Sequence, residues 1–500
     1  MPQDLVHDDR KEPRPGGGRR LRDGIKLPAR LARRLISAAV LCTCCLVLGQ
    51  LLNLIWQELS GADQDDGSAA LRDWERLAPE VVLSRKTGHS VLFHRLPIQL
   101  MEPRPDIPHQ YIYSDSALSL GEVTVVDILA NLSESLKQQE YFSAYYELQE
   151  AIANHVSPND VEGLYNLDRY KFLPLIGDMY RRHPDAKWFV SVDGDSYVFW
   201  STLLRFLLHY DPEDHWFFGQ ADSHDMWGAN NTVWANGGAG YVLSKGIMDM
   251  TYAKDPWGFE NQWDGVIAST PGGDVLLAQA IYRSPGVRLN NTLSGGAPMF
   301  TSEIAGLLSF TKENWYAPLI TLHHLKPWET HDLRKFEVDR LAALQGEDGI
   351  RYCDAAHGLA PAFLQHALDE YLSSNGASPF TVRKEAWLFY SDNFAYRDRD
   401  YAKTWGRPYD EHLCEAICDY EETCLSWQFT LEEPPEEEKE AEAEMVCLLS
   451  QGEWRFGAPD PKGMSGWRVD RILHFMHEWD CDDMDARKLA DATRFAQHVP

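Results

Sequence analysis

Short apolar runs alternate with amphipathic stretches from about residue 91 to about residue 345. Runs at 111–114 and 123–129 predict strands, and a long amphipathic stretch from Ser133 to about His155 predicts a helix. The alternation continues with helices at 167–182, 198–209 and 275–283 and strands at 187–192, 215–219 and 241–244. Strands that alternate with helices in this way predict an α/β domain of stacked layers with a largely parallel sheet.

Residues 35–56 form a 22-residue apolar stretch without a charged side chain. At about 1.5 Å per residue in a helix, this length matches a bilayer core of roughly 30 Å. Residues 1–34 carry ten Lys or Arg against five acids, whereas acids follow the stretch. The positive-inside rule therefore predicts a type II membrane anchor with a cytoplasmic tail at 1–34 and an acidic stem at 57–90. A buried core helix and a cleaved signal peptide are the alternatives.

Composition and charge exclude several classes of protein. With 44% hydrophobic and 12% aromatic residues, the chain has the composition of a folded protein and not of a disordered one. The net charge of −29 argues against a general nucleic-acid binder, since phosphate recognition relies on basic surface. An anionic substrate would need a cation or a local basic patch in order to bind.

The cysteines and sequons agree with an oxidising compartment, and we expect a Golgi or endoplasmic reticulum membrane with the main body lumenal. Six cysteines follow residue 350, and an even set of this kind indicates three disulfides: Cys353, Cys414, Cys418, Cys424, Cys447 and Cys481. A zinc cluster is disfavoured because no paired Cys-x-x-Cys occurs. Three Asn-x-Ser/Thr sequons would be open to glycosylation on the same side, namely Asn131, Asn230 and Asn290.

Asp193 and Asp195 form an Asp-x-Asp pair whose position points to chemistry. The tripeptide recurs elsewhere in the chain, but this copy directly follows an apolar strand and precedes a helix. Ligands of open α/β sheets bind at the carboxyl ends of strands, and side chains two apart in extended chain point to one side. Paired carboxylates suit Mn²⁺ or Mg²⁺. A turn aspartate followed by a helix N-cap is the alternative interpretation.

Three ordered motifs resemble glycosyltransferase family 31, in particular its Fringe and β1,3-galactosyltransferase branches. They are HPDAKWFVSVDGDSYV at 183–198, WANGGAGYVLS at 234–244 and GGDVLL at 272–277. The resemblance covers roughly residues 91–330. It implies a GT-A-type, Rossmann-like fold, a UDP-sugar donor, Mn²⁺ (or Mg²⁺), and an inverting transfer that forms a β1,3 bond.

The resemblance also implies roles for single residues. Asp193 and Asp195 match the metal motif, although Gly194 stands where many members have a further acid. Asp274 matches the acidic catalytic residue, and Gly273 replaces a second acid often found there. An inverting transfer needs one carboxylate base for the acceptor hydroxyl, but an aspartate before an apolar helix is also a common N-cap.

Further candidates come from the same comparison. His323 and His324 lie where the family has a late metal-binding histidine, and the sequence does not choose between them. Candidates for nucleotide binding are Ser114, Asp115 and Lys171, together with Asp193; for Lys171, a place on a helix surface is the alternative. Candidates for contact with the sugar are Trp234, Gly238, Ala239 and Gly240, since glycines allow close approach of the backbone.

The pattern changes in the last part of the chain. Cys414 and Cys418 are spaced as on one face of a helix, and Cys424 leads into alternating apolar residues typical of a half-buried strand. This pattern resembles a PAN/apple module. The resemblance implies pairs Cys414–Cys447 and Cys418–Cys424, and this leaves Cys353 and Cys481 for each other.

The sequence thus predicts a catalytic domain at 91–345, a connecting segment at 346–405, a disulfide-stapled α+β module at 406–475 and a tail at 476–500. We expect a membrane-anchored inverting glycosyltransferase that moves a hexose or N-acetylhexosamine from a UDP-sugar to a glycan or glycoprotein. No nucleic-acid partner is expected, and the C-terminal module would recognise a protein or a glycan. A non-catalytic carbohydrate-binding or adhesion protein and a metal-dependent hydrolase are the rival hypotheses.

Overall fold

The structure is a computed structural model that describes residues 72–482, except 103, 159–160, 223–232, 347, 375–379, 391–393, 397–405, 407 and 433–442. The predicted cytoplasmic tail, the predicted anchor at 35–56, the sequon at Asn230 and residues 483–500 lie outside the described residues. Within the described part, none of the helices is both long enough and apolar enough to cross a membrane.

Helices and strands alternate along the described chain. The α-helices are α1 Asp73–Leu77, α2 His89–Arg95, α3 Pro97–Met101, α4 Glu134–Lys137, α5 Ser143–Ala153, α6 Phe172–Arg182, α7 Trp200–Leu207, α8 Lys245–Met250, α9 Gly258–Asn261, α10 Gly273–Arg283, α11 Pro327–Ala343, α12 Tyr352–Gly358, α13 Ala362–Ser373, α14 Glu411–Tyr420 and α15 Val469–Glu478. Short 3₁₀ helices lie at Ala78–Glu80, Glu140–Phe142, Leu164–Tyr170, Ile267–Ser269 and Ala305–Leu307.

The strands are mostly short. They are β1 Val81–Lys86, β2 His109–Ser114, β3 Leu118–Leu120, β4 Val123–Asp127, β5 Trp188–Asp193, β6 Tyr197–Val198, β7 Phe217–Gly219, β8 Ala221–Asp222, β9 Trp234–Ala235, β10 Tyr241–Ser244, β11 Asn290–Asn291, β12 Leu293–Ser294, β13 Ala297–Pro298, β14 Phe310–Thr311, β15 Thr321–Leu322, β16 Thr381–Leu388, β17 Phe394–Tyr396, β18 Cys424–Glu432, β19 Glu444–Gln451, β20 Glu453–Trp454 and β21 Ala458–Arg468.

The main sheet has eight strands in the order β11-β7-β10-β5-β1-β2-β4-β3. β5, β1, β2 and β4 run parallel, whereas β10 is antiparallel to both of its neighbours and β3 to β4. The sheet is therefore mixed, and six of its eight strands run in one direction, which confirms the prediction of a largely parallel sheet; β10 is one of the two exceptions. The reason is that β10 starts at the carboxyl end of β5 and runs back along it, so that Tyr241 pairs with Ser191 and Ser244 with Trp188.

The segment predicted as a stem contains a central strand. β1 lies between β5 and β2, and every one of its residues is buried. The folded part of the chain therefore begins before residue 91, and the predicted stem at 57–90 does not describe residues 73–86. The apolar run Val81–Leu83 is too short to show helical or alternating periodicity. A strand buried on both faces also lacks the apolar–polar alternation by which a strand is recognised.

The helix predicted from Ser133 to about His155 is interrupted. It consists of α4, a 3₁₀ turn at Glu140–Phe142 and α5. The turn directs Phe142 into the core, where its ring lies 4.9 Å from Tyr145 and 5.7 Å from Tyr170 between centroids. Aromatic burial at this point outweighs the continuity of the helix.

Residues 381–478 form a C-terminal module around a five-stranded antiparallel sheet, in the order β16-β21-β18-β19-β17. It begins earlier than predicted, because β16 and β17 come from the predicted connecting segment. α14 packs on this sheet through Cys414 and Cys418. Three disulfides are present, Cys353–Cys481, Cys414–Cys447 and Cys418–Cys424, and these are the pairs that the sequence resemblance implies.

The cores of the two parts are continuous. One apolar cluster includes Phe310 and Trp315 of the first part and Trp454, Trp467 and Val469 of the module. The module is therefore packed against the rest and not tethered by a loop. Of the described sequons, Asn131 is exposed, whereas Asn290 is half-buried and its Oδ1 accepts a hydrogen bond from Phe217 N at 3.3 Å.

Candidate functional site

The site is built at the carboxyl ends of three neighbouring parallel strands. β5 ends at Asp193, β1 at Lys86 and β2 at Ser114, and Lys86 lies opposite Asp193 in the sheet register. Each strand emerges from a buried apolar run, so these polar ends are held by the sheet and not by loops. This is the edge at which ligands bind in open α/β sheets.

Lys86 joins two acidic residues. Its Nζ lies 2.7 Å from Asp168 Oδ1 and 2.9 Å from Asp193 Oδ1 while the residue is only 4% exposed. Burial alone would raise the pKa of Asp193, but the charge of Lys86 holds that pKa below its usual range. Asp193 is thus ionised, with Oδ1 directed at Lys86 and Oδ2 lying 3.9 Å from both Arg95 and His323.

β6 and β15 bring Asp195 and His323 together. The two short strands pair antiparallel, with Tyr197 opposite Leu322, and Leu325 N donates to Asp195 O at 3.0 Å. His323 Nε2 lies 3.4 Å from Asp195 Oδ1 and 3.9 Å from Asp193 Oδ2. Residues separated by about 130 positions in sequence therefore share one cluster.

The cluster has the donor set of a divalent-metal site. Asp195, His323 and His324 each offer one ligand atom, and these atoms lie within 4.8 Å of one another. Both ring nitrogens of His323 and Asp195 Oδ1 are buried without a hydrogen bond among the described residues. A buried imidazole without partners is costly unless something binds it. Carboxylate oxygens with one imidazole nitrogen suit Mn²⁺ or Mg²⁺, so these residues fit such an ion.

The two histidines differ in their surroundings. His323 is buried, whereas His324 is exposed and has a left-handed backbone with φ 58°. Their rings lie 3.8 Å apart between centroids. Partial burial and the neighbouring His323 lower the pKa of His324, so its ring is neutral and able to bind a cation at neutral pH.

Arg95 flanks the cluster from α2. Its Nε lies 3.4 Å from Asp195 Oδ2, and its Nη1 lies 3.9 Å from Asp193 Oδ2. Although burial would raise the pKa of Asp195, contacts with His323 and Arg95 lower it. Both carboxylates of the Asp-x-Asp pair are therefore charged and available to a cation.

The turn Asn236–Gly240 closes one side of the site. Asn236 Oδ1 accepts hydrogen bonds from Gly238 N and Ala239 N at 3.1 and 3.0 Å, and Ser196 Oγ donates to Gly238 O at 2.7 Å. A Cβ on Gly238 would lie 2.0 Å from His323 Cε1, so only glycine allows the imidazole to occupy its position. Gly240 has φ 93°, which also favours glycine.

The remaining candidates for sugar contact are placed differently. Trp234 is 4% exposed and Ala239 is fully buried, and both side chains belong to apolar core clusters. Their side chains have no face open to a sugar. Within this motif, the backbone at Gly238 borders the metal cluster, whereas Gly240 lies against Val192 and Ser191 of β5.

Asp274 lies in the first turn of α10, on the other side of the same turn. Gly237 N donates to its Oδ2 at 3.4 Å and Val275 N to its Oδ1 at 2.8 Å. Burial raises the pKa of Asp274 to about 6, although these backbone donors act against the shift. It is not the N-cap of α10, because Gly272 has that position. A carboxylate that titrates close to neutral pH is suited to acid/base work.

Three predicted nucleotide-binding residues are buried at the carboxyl ends of β1 and β2, namely Ser114, Asp115 and Lys171. Lys171 Nζ lies 3.0 Å from Asp115 Oδ2 and donates to Thr87 O at 2.8 Å, and Ser114 Oγ donates to Asp115 Oδ1. Lys171 is 2% exposed, so the alternative of a helix-surface lysine was wrong. This pair fixes the carboxyl ends of β1 and β2 relative to the helix α6.

Sequence reasoning missed Lys86, Arg95 and Asp168. Lys86 and Arg95 fall in or beside the segment interpreted as a stem, and Asp168 lies in a 3₁₀ turn that shows no motif. The apolar run that precedes Arg85 and Lys86 was a usable signal, since an apolar run that ends in two cations is unusual in a stem.

A comparison with protein families agrees with this geometry. Residues 124–337 match the family model described as Fringe-like. The matched range contains Asp193, Asp195, Asp274 and His323, and the mixed α/β fold with its central mixed sheet agrees with a Fringe-like GT-A domain. Fringe-like proteins are glycosyltransferases, and the match supports enzymatic activity of that class. By this match, residues 124–337 of the chain are similar to the Fringe-like glycosyltransferases.

Proposed function

We propose that this protein is an inverting, metal-dependent glycosyltransferase that moves a hexose or N-acetylhexosamine from a UDP-sugar to a hydroxyl of a glycan or glycoprotein, forming a β1,3 bond. The observation that carries the proposal is the buried imidazole of His323. Its ring nitrogens form no hydrogen bond with the described residues, and its Nε2 lies 3.4 Å from Asp195 Oδ1 and 3.9 Å from Asp193 Oδ2. A divalent cation between these three side chains would satisfy the buried nitrogens and the two carboxylates.

The metal would be held by Asp195 and His323, with Asp193 and His324 at its border. When bound, a divalent ion offsets the negative charge that develops on the departing diphosphate. Arg95 stands beside the same carboxylates and is about one-third exposed, so its guanidinium is in reach of an entering phosphate. Lys86 keeps Asp193 ionised through a contact of 2.9 Å.

Asp274 is the base in this proposal. With a pKa of about 6, Asp274 is ionised at neutral pH. This pKa is also near enough to neutral for the carboxylate to accept a proton from the acceptor hydroxyl. Gly237 and Gly273 support its position, because a Cβ on either would collide with the ring of Phe172 beneath them. The two glycines thus let the backbone around Asp274 pack directly on the Phe172 ring.

The cellular setting rests on the sequence. The apolar segment at 35–56 would anchor the protein as a type II membrane protein of the Golgi, with residues 72–482 in the lumen. Three disulfides support this placement, since an oxidising compartment maintains them.

A donor-hydrolysis assay tests the proposal. The full-length protein is incubated with a panel of UDP-hexoses and UDP-N-acetylhexosamines, with Mn²⁺ or with a chelator, and UDP release is measured. We expect release with at least one donor, dependence on metal, and a loss of about 100-fold or more in Asp195→Asn. Asp369→Asn, which changes an exposed aspartate on α13, is the matched control and should retain full activity. Equal release by Asp195→Asn and the unaltered protein, or none from any donor, would reject a transferase and favour a non-catalytic carbohydrate-binding protein.

A further inference from the structure

A cavity of about 500 Å³ lies where the Fringe-like domain meets the C-terminal module. Its wall includes Gln220, Thr301 and Glu303 on one side and Glu453 and Arg455 on the other. Its volume falls in the range of sites that hold small ligands. None of these five residues belongs to the metal cluster described above.

The two walls are held rigidly relative to each other. β14 and β20 pair antiparallel across the junction, with Phe310 opposite Trp454 and Thr311 opposite Glu453. Gly457 N donates to Gly306 O at 2.6 Å, and a Cβ on Gly306 would lie 2.3 Å from Gly457 O. The close backbone contact and the buried Trp454 fix the module, so the cavity is formed before any ligand arrives.

The cavity presents polar groups suited to hydroxyls. Arg455 has a buried Nε without a hydrogen bond, and its guanidinium forms no ion pair with any residue of the described chain. Glu303 is exposed at the opposite wall, and Glu453 Oε2 accepts a hydrogen bond from Ser309 Oγ at 2.6 Å. A guanidinium that only donates and carboxylates that only accept can together satisfy the vicinal hydroxyls of a sugar ring.

The cavity borders the metal cluster. His323 N donates to Glu303 O at 3.1 Å, and Thr301 N donates to Thr321 Oγ1 at 3.1 Å. Gln220 O accepts a hydrogen bond from Asn236 N at 2.9 Å, which connects the wall to the turn that carries Gly238. A ligand in this cavity is therefore adjacent to the residues that would hold the donor.

We propose that the junction cavity binds the acceptor glycan and that the C-terminal module supplies Arg455 and Glu453 as part of that site. This inference rests on the proposed transferase function, because it assigns the second substrate of the same reaction. The module is then a determinant of acceptor choice and not only a stabilising domain.

Glycan binding without a donor gives the direct test. Fluorescently labelled full-length protein is applied to an array of immobilised N-glycans, mucin-type O-glycans and glycosaminoglycan fragments, and the affinity for the best binder is then measured by calorimetry. The variants are Arg455→Met and Glu303→Gln, with Lys462→Met, an exposed lysine of the module outside the cavity, as the matched control. Melting curves verify folding, and Glu303→Gln is the variant least prone to disturb it, because the Glu303 side chain is exposed. UDP release from the donor is measured on the same samples.

We expect Arg455→Met to weaken glycan affinity by about tenfold or more, Glu303→Gln to weaken it by severalfold, and Lys462→Met to leave it unchanged. Donor hydrolysis should stay within about twofold in all three, since Glu303 touches the metal cluster only through its backbone carbonyl, which the substitution leaves in place, and Arg455 and Lys462 lie outside the cluster. Unchanged affinity in folded Arg455→Met and Glu303→Gln, or no glycan bound by the unaltered protein, overturns the inference. Glycan binding that depends on Arg455 in a protein that never hydrolyses a donor would reject the transferase and retain the cavity as a glycan site.

Discussion

At the residue scale, Asp274 is held in a state that favours reactivity over stability. Its pKa of about 6 results from burial, so ionising it costs folding free energy as the pH rises above its ordinary value of 3.8. Asp274→Asn should therefore reduce transfer by about 100-fold or more while the melting temperature at pH 8 stays equal or rises. Initial rates and thermal melts on the same preparation test both parts. A variant that is inactive because it has lost stability would contradict this explanation.

The same pKa predicts the pH dependence of the reaction. The base must be ionised, so kcat/KM should be constant above about pH 7 and fall as the pH decreases through about 6. The measurement is a pH profile at saturating Mn²⁺ under the conditions of donor hydrolysis and of transfer. For transfer to a glycan, we expect kcat/KM to fall on the acidic side of about pH 6. A kcat/KM that stays constant down to pH 5 would exclude Asp274 as the base.

His323 and His324 should contribute unequally to metal affinity. His323 is buried and lies 3.4 Å from Asp195, whereas His324 is exposed. His323→Ala should weaken Mn²⁺ binding by about tenfold or more, and His324→Ala by less. Calorimetric titration of Mn²⁺ into each variant in the presence of UDP gives the affinities. Equal losses would show that both imidazoles bind the ion.

The sequence motifs named candidate site residues, and the structure shows which of them lie together. The motifs selected Asp193, Asp195, Asp274 and the histidine pair, and the structure brings the first two together with His323. The sequence did not predict Lys86, because the register that places Lys86 beside Asp193 arises from strand pairing across about 100 residues. No local pattern encodes that contact.

At the element scale, the glycine turn determines the shape of the metal cluster. A Cβ on Gly238 would lie 2.0 Å from His323 Cε1. Gly238→Ala should displace the imidazole and reduce Mn²⁺ affinity by about tenfold, while the sheet beneath it stays folded. Gly265→Ala is the matched control, because nothing lies within 4 Å of its added Cβ. Calorimetry and circular dichroism distinguish loss of metal from loss of fold, and unchanged affinity in Gly238→Ala would contradict the packing argument.

Elements were predictable where local pattern and tertiary packing agree. The strand at 241–244 has the predicted bounds, and the helix predicted at 275–283 begins two residues earlier, at Gly273. The predicted helix at 133–155 is interrupted because Phe142 is buried, and β10 runs against the parallel majority of the sheet because it turns back from the glycine turn. In both cases a contact between distant segments outweighs the local signal.

At the scale of the whole molecule, the central strand β1 determines where the folded unit begins. The sequence motifs alone would place that beginning too late, at residue 91. Val81, Val82 and Leu83 are fully buried, and β1 pairs in parallel with both β2 and β5. Removing three such side chains would cost about 5–9 kcal/mol of burial alone. That loss is comparable to the whole free energy of unfolding of a typical domain, about 5–15 kcal/mol.

A pair of fragments tests this dependence. Residues 72–482 should express as a soluble protein with a single cooperative melt, whereas residues 91–482, which keep every sequence motif and all three disulfides, should be insoluble or lack a cooperative transition. Because the two fragments share all residues from 91 onward, the comparison isolates α1, β1 and the start of α2. Circular dichroism and size-exclusion chromatography provide the measurement. If the shorter fragment melts cooperatively within a few degrees of the longer one, the sheet folds without its central strand β1. The carboxyl ends of β5 and β2 would then keep their places without Lys86.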